Sequence, residues 1–410
     1  MRLRVWIFAS ALGLTPALFA QVRLTLADAV SEALLGNPQV ATAAARVAVA
    51  EGLRHQAGLG PNPRLFLQSE GLSPNRTNGQ SFSYPRDADN YAFLIHTIET
   101  GGKRQRRVDL ATGNVRRGEL EQQLQRQQIA SRVSAAYWAA AGAARSRDLL
   151  QQEVASFERV VQFHRDRARE GAAPEVDLLR IEVERDRLAA SARTVALEAV
   201  RARIALFREM GKTEFPPVEF VDTPETPRPV AALTIEEVLE RRPEMRISRA
   251  AIEQARANLR LQQANAKIDP DVQFGYKRTT GFNTFYSAVQ IPLPIRNRNQ
   301  GQIEAAVADT KVAESSLAAT AVLVRSELET ATTDYESRQK LLAETLRPMR
   351  ERADEVFRIA DAAYREGGSD ILRLLDAERT KIETQLAYTR TLFELQQSAV
   401  AVATAQGNLP

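Results

Sequence analysis

Through most of this chain apolar side chains recur at three- and four-residue spacing, the signature of a helix with one buried stripe. The longest such run starts after Thr100-Gly101-Gly102 and lasts to Gly171, with a seam through Ile129, Val133, Ala136, Ala140 and Ala143 and then Leu150, Val154, Phe157, Val161 and His164. At 1.5 Å per residue it predicts a helix on the order of 100 Å long, far more than a compact core needs. Its alanines allow a partner helix to approach closely. In two places the period changes to alternation. Tyr91, Phe93, Ile95 and Thr97 alternate with Ala92, Leu94, His96 and Ile98, and Val272, Phe274 and Tyr276 alternate with Gln273, Gly275 and Lys277. These predict strands over about 64–70, 91–99, 271–278 and 285–291, with the polar stretch Gly71 to Asn90 as the loop joining the first two.

The pattern occurs twice. Arg169-Glu170-Gly171, Leu178-Leu179 and Glu182 recur at the same offsets as Arg365-Glu366-Gly367, Leu374-Leu375 and Glu378. Gly after an apolar run stops a helix, and Pro174 or Ser369-Asp370 starts the next, so both segments read as hairpin tips. Leu24-Thr25-Leu26 and Asn37-Pro38 are echoed by Leu233-Thr234-Ile235 and Arg242-Pro243. The expected organisation is a first repeat over 21–211 with its tip at 171–174, a Pro-rich linker over 212–232, and a second repeat over 233–410 with its tip at 367–370. Each repeat runs helix, strand, strand, long helix, tip, returning helix.

The first residues add a compartment. Arg2 and Arg4, an apolar run from Val5 to Leu14 and a stretch ending at Ala20 make residues 1–20 a secretory signal peptide, although Leu18 departs from the small residue expected there. Without Arg2 and Arg4 the 55 basic residues nearly match the 51 acidic ones, and the charges are interspersed, which argues against nucleic acid as a partner. No cysteine is present, so disulfides and thiolate metal sites are excluded. Nothing in the sequence supports an enzyme: there is no Gly-rich phosphate loop and no histidine beside a nucleophile. His55, His96 and His164 are too scattered for a metal site, and no cofactor is implied.

Strands of roughly nine or ten residues with one apolar and one polar face fit a tilted barrel strand. Four of them leave two open edges, which lipid does not tolerate, so further copies of the chain would have to close the sheet, three giving twelve strands. A small soluble sheet covered by helices on its apolar face is the alternative for the strands, and a soluble periplasmic coiled-coil adaptor, from which the strand pairs distinguish this chain, is the alternative of a different class.

The chain resembles the TolC-like outer membrane efflux proteins over its whole mature length. The resemblance is carried by Leu24-Thr25-Leu26 with Asn37-Pro38, Pro61-Asn62-Pro63, Glu99-Thr100-Gly101-Gly102-Lys103-Arg104, Pro292-Leu293-Pro294, Asn297-Arg298-Asn299-Gln300-Gly301 and both Arg-Glu-Gly tips. The Gly-Gly-Lys-Arg and Asn-Arg-Asn-Gln-Gly segments are similar to those of the CzcC-like branch, which serves heavy-metal cation efflux. What this implies is a mainly α fold with a β-barrel part: a homotrimer with a twelve-stranded barrel in outer membrane lipid and a helical tunnel in the periplasm. Its partners would be a periplasmic adaptor and an inner-membrane resistance-nodulation-division pump. Drug efflux and type I secretion are alternative duties of the same fold.

On this reading Gly171, Ala172, Ala173 and Pro174, with Gly367, Gly368, Ser369 and Asp370, are the adaptor-docking tips. TolC-like channels carry acids at two offsets after the second tip; this chain keeps Asp376 but has Arg373 at the other, and the first tip has Asp177 and Arg180. The expectation is a charge-swapped gate, Asp177 with Arg373 and Arg180 with Asp376. The cluster Lys103-Arg104-Gln105-Arg106-Arg107 follows the second strand and would lie at the inner boundary of the membrane that holds the barrel, suited to lipid head groups or simply opening a helix. Gln68, Gln273, Lys277 and Gln290 are expected on the lumen face.

Overall fold

The structure, a computed structural model, describes residues 22–72, 83–171, 174–224 and 233–408. The expected signal peptide, Ala172 and Ala173, and parts of the first strand loop and of the linker lie outside these residues. In chain order the elements are β1 (Val22–Leu24), α1 (Leu26–Gly36), α2 (Pro38–Ala57), β2 (Arg64–Glu70), β3 (Asp89–Thr97), α3 (Lys103–Arg169) and α4 (Glu175–Glu209). The second copy supplies β4 (Val218–Phe220), α5 (Ile235–Arg241), α6 (Pro243–Asn265), β5 (Asp271–Thr279), β6 (Phe282–Gln290), α7 (Gln300–Lys340), α8 (Arg347–Arg365) and α9 (Ile371–Ala405). A π-helical segment, Leu341–Leu346, joins α7 to α8. No described helix is long and apolar enough to cross a membrane.

Two compact units result, and neither coincides with a sequence repeat. One takes residues 37–131, 229–337 and 398–410, the other 1–36, 132–228 and 338–397. Each therefore draws on both copies.

The first unit contains the sheet, ordered β2-β3-β5-β6 and antiparallel throughout. Its register puts Phe66, Gln68, Tyr91, Phe93, Gln273, Lys277, Tyr286 and Gln290 on one face, and Leu65, Leu67, Leu94, Phe274, Phe285 and Val289 on the other. The second face is apolar and open, with Phe285 86% exposed. The first is polar except for a patch in which Phe93, 7% exposed, stacks between Phe66 and Tyr286 at centroid distances of 5.9 and 4.4 Å. Gly275 stands opposite Phe93, and a Cβ there would overlap the Ala92 carbonyl, so only glycine lets the strands meet under the ring. The four polar residues expected on the lumen face do share one face. Strand ends differ from expectation. β3 begins at Asp89, and β5 and β6 extend to a two-residue turn, Thr280-Gly281, with φ of 47° and 84°. Both residues are left-handed, as a tight hairpin that follows the strand twist requires.

Below the sheet a clamp ties the strands to the helices. Lys103, 7% exposed, donates from Nζ to the Lys267 carbonyl at 2.7 Å and to Asp269, while the Thr100 amide donates to Asp269 Oδ1 at 2.8 Å. Arg107 forks onto Glu99, whose carboxyl this bond holds below its usual pKa. Lys103 and Arg107 thus turn to Asp269 and Glu99 at the opening of α3, Lys103 buried and Arg107 partly exposed, so for these two cations the helix-opening alternative describes the single chain better than head-group contact. Asn299, at φ 62°, donates from Nδ2 to the Gln262 carbonyl at 2.8 Å, and its own amide is taken by Asn297 Oδ1 at 2.9 Å. The Asn-Arg-Asn-Gln-Gly segment is the latch that starts α7. Elsewhere in this unit Asn37 caps α2 through Gln39 N at 2.8 Å, and Arg242 donates to the Thr404 and Ala405 carbonyls at the end of α9.

In the second unit β1 and β4 pair in parallel, a contact the sequence pattern does not announce. Tyr137, fully buried on α3, places its hydroxyl 3.0 Å from the Leu24 carbonyl and 2.6 Å from the Asp222 carboxylate, which also accepts from the Leu26 amide at 2.7 Å. Burial raises the Tyr137 pKa well above the usual range, so the hydroxyl stays a donor. The helices of this unit pack through two apolar clusters, Phe157, Val161, Ile181, Ile371 and Leu374, and Leu150, Val195 and Ile382. The expected single helix from 301 to 366 is interrupted at the π segment because Pro348 has no amide proton and its ring crowds the carbonyl four residues back; one wider turn, closed by Arg347 N to the Leu342 carbonyl, absorbs the misfit.

Candidate functional site at the hairpin tips

Both tips belong to the second unit, and the same chemistry builds them. At the second, the Gly367 amide donates to the Tyr364 carbonyl at 3.1 Å and the Gly368 amide to the Ala363 carbonyl at 2.8 Å, the paired bonds that close a helix on a left-handed residue. Gly367 has φ +75° and Gly171 φ +71°, and around neither would a Cβ meet an atom. Glycine is required there by backbone conformation, not by space. Gly171 bonds to the Ala168 carbonyl at 3.1 Å in the same manner. Asp370 then caps α9, accepting the Arg373 amide on Oδ1 at 3.0 Å, whereas Pro174 leads into α4 and the Asp177 amide donates to its carbonyl at 3.1 Å.

Just past the tips α4 and α9 flank an open groove of about 550 Å³. Val176, Leu179, Val183 and Leu372 give it apolar walls, and each is about half exposed. Arg180, Asp376, Arg187 and Arg379 supply charge. Of the four residues expected to form a gate, the groove brings Arg180 and Asp376 to one place. Within the single chain the charges are met on their own helices: Arg180 lies 3.9 Å from Asp177, and Asp376 3.3 Å from Arg379. Arg373 is exposed, and among the described residues it has no ion-pair partner. The Asp177–Arg373 pair is not made inside one chain.

Two buried titratable groups stand behind the groove. His164 is 2% exposed with Tyr364 Oη 3.3 Å from its Nε2; burial, aided by Arg167 and opposed by Asp177, lowers its pKa. It is a core histidine, and among the described residues no three His, Asp or Glu side chains converge as around a metal ion. Glu378 is 6% exposed, and burial first, then Glu153 and Asp361, push its pKa up to about 7, with Lys381 acting the other way. Sequence reading used Glu378 only to align the repeats. The signal available was at the position matching Arg165, where the second copy has Asp361.

A sheet with an apolar open face, two unpaired edge strands and long hairpins ending in glycine tips defines a class, the outer membrane channels. The sequence pattern of the outer membrane efflux protein family matches residues 29–212 and 234–408, one match on each repeat, and the chain belongs to that family. It is therefore an outer membrane protein. The cobalt-zinc-cadmium resistance protein CzcC of Cupriavidus metallidurans is 25% identical over 385 residues, 92% of this chain and 89% of CzcC. Among solved structures, a membrane protein from Pseudomonas aeruginosa shares the fold at a TM-score of 0.79 with 20% identity, covering 95% of this chain and 91% of that one. CusC, described in terms of transmembrane channel formation, gives 0.79 with 17% identity over 93% and 92%.

Proposed function

We propose that the chain is the passive exit duct of a tripartite system that expels heavy-metal cations. The observation that carries this reading is the likeness to the cobalt-zinc-cadmium resistance protein over nine-tenths of both chains. It is supported by the clamp and latch built from the Gly-Gly-Lys-Arg and Asn-Arg-Asn-Gln-Gly segments. Three copies close the barrel, because β2 and β6 are bare edges and each unpaired backbone group in lipid costs several kcal/mol. Hairpins of a periplasmic adaptor dock at Gly171, Pro174 and Gly367 to Asp370, and a resistance-nodulation-division pump loads the duct. Asp177, Arg180, Arg373 and Asp376 close the mouth when neighbouring copies bring opposite charges together.

The test is tolerance of cobalt, zinc and cadmium in cells that lack this chain and keep pump and adaptor. Metal sensitivity in those cells, and tolerance restored by the full chain, are expected. Unchanged metal tolerance with lost tolerance of an organic toxin would make it a drug duct, and lost export of a protein a type I secretion duct.

A further inference from the structure

Glu182 and Glu378 occupy the same position in the two hairpins, 196 residues apart. Glu182 holds Arg165 at 2.7 Å. The residue matching Arg165 is Asp361, which is itself bound by Arg365 at 2.9 Å. The second hairpin has thus replaced a cation by an acid while burying the carboxyl more deeply. Among the described residues Glu378 has no ion-pair partner. The charged groups that face it are Glu153 from α3, Asp361 from α8 and Lys381 from its own helix. Lys381 is committed elsewhere, with Nζ 3.5 Å from Glu153 and over the Phe357 ring at 4.5 Å. On its other side Glu378 lines a partly open cavity of about 290 Å³ between α3, α4 and α9. Leu150, Phe157 and Ile382 are among its apolar walls, and Glu184, Arg187, Arg379 and Glu383 stand around it.

We propose that Glu378 is a proton-binding site that couples pH to the packing of the second hairpin. Protonated, it lets α9 close on α3; ionised, it gives its proton to water, draws water from the partly open cavity onto the carboxylate and loosens the seam beside the tip. The cavity has room for several waters at roughly 30 Å³ each. The direction follows from linkage. The closed hairpin holds the proton up to about pH 7, and a hydrated carboxyl releases it in the ordinary range near the reference value of 4.5. The closed form therefore binds the proton more tightly, and raising pH from the ordinary carboxyl range to about 7 shifts the balance towards the loose form, about tenfold per pH unit, with no further change above. This device stands on the hairpin alone and does not depend on cargo or partners.

Hydrogen exchange of the full-length purified chain, read on peptides from 150–160 and 371–386, tests it. At each pH the wild-type rate is divided by that of Glu378→Gln, which cancels the intrinsic pH dependence of exchange. The ratio is expected to rise about tenfold or more between about pH 5 and about pH 8. Asp361→Arg, which installs the pair of the first hairpin, should flatten it, and Glu182→Gln should show no such rise. A ratio that is flat with pH in the wild type, an undiminished rise in Asp361→Arg, or an equal rise in Glu182→Gln would overturn the proposal.

Discussion

The two hairpins have returning helices of the same length, 35 residues each, yet they treat charge and continuity differently. In the first, α3 reaches the tip as one uninterrupted helix, its acid Glu182 is paired with Arg165, and the returning helix opens with an exposed Glu175. In the second, a π turn and Pro348 interrupt the outgoing arm, Glu378 is buried without an ion-pair partner among the described residues, and the returning helix opens with Ile371 tucked into the core. The changes fall together. The second arm thus carries both the wider turn and the unpaired acid, and the first carries neither. On this view the first hairpin is a strut and the second is the part built to yield.

The comparison can be broken most forcefully at what the copies share. Bulky side chains at both Gly171 and Gly367 each force a left-handed residue that costs roughly 1–2 kcal/mol and fill the proposed docking surface. Efflux should be lost while the chain still fractionates with the outer membrane; normal metal tolerance would remove the docking role. Next in size is the pH response. Since the Glu378 pKa is raised in the folded chain, stability should fall as pH rises from about 4.5 to about 7 and level off above, by on the order of 3 kcal/mol. Urea melts across that range, compared with Glu378→Gln, would show whether the slope disappears. A smaller change is expected from Arg165→Ala, which breaks a partly exposed pair and should lower stability by up to about 1 kcal/mol, whereas Asp361→Arg should raise it at neutral pH. Equal signs for these two substitutions in thermal melts would contradict the difference drawn between the hairpins.

Much of this was legible before the structure. The repeat of Arg-Glu-Gly fixed both tips because helix stops depend on local backbone chemistry, and alternation located the sheet because strand faces depend on period two. What escaped were contacts between distant residues. Lys103 reads as a surface cation until Asp269, far along the chain, is brought beside it. Parallel pairing of Val22–Leu24 with Val218–Phe220 is too short to leave a pattern. The π turn could have been inferred from Pro348 inside a helical run. Glu378 lay between these cases: the exchange of Arg165 for Asp361 was visible in the aligned repeats, but burial was not.

The proposed gate involves the smallest energies, since exposed ion pairs contribute about 0–1 kcal/mol each, yet it bears most directly on the claim that copies of this chain form a duct closed at its tips. Single-channel conductance in a planar lipid bilayer measures it. The account predicts small, stepwise conductance for the wild type and larger steps when Arg373→Ala and Asp376→Ala are combined. No conductance at all, or identical steps in the two proteins, would contradict it.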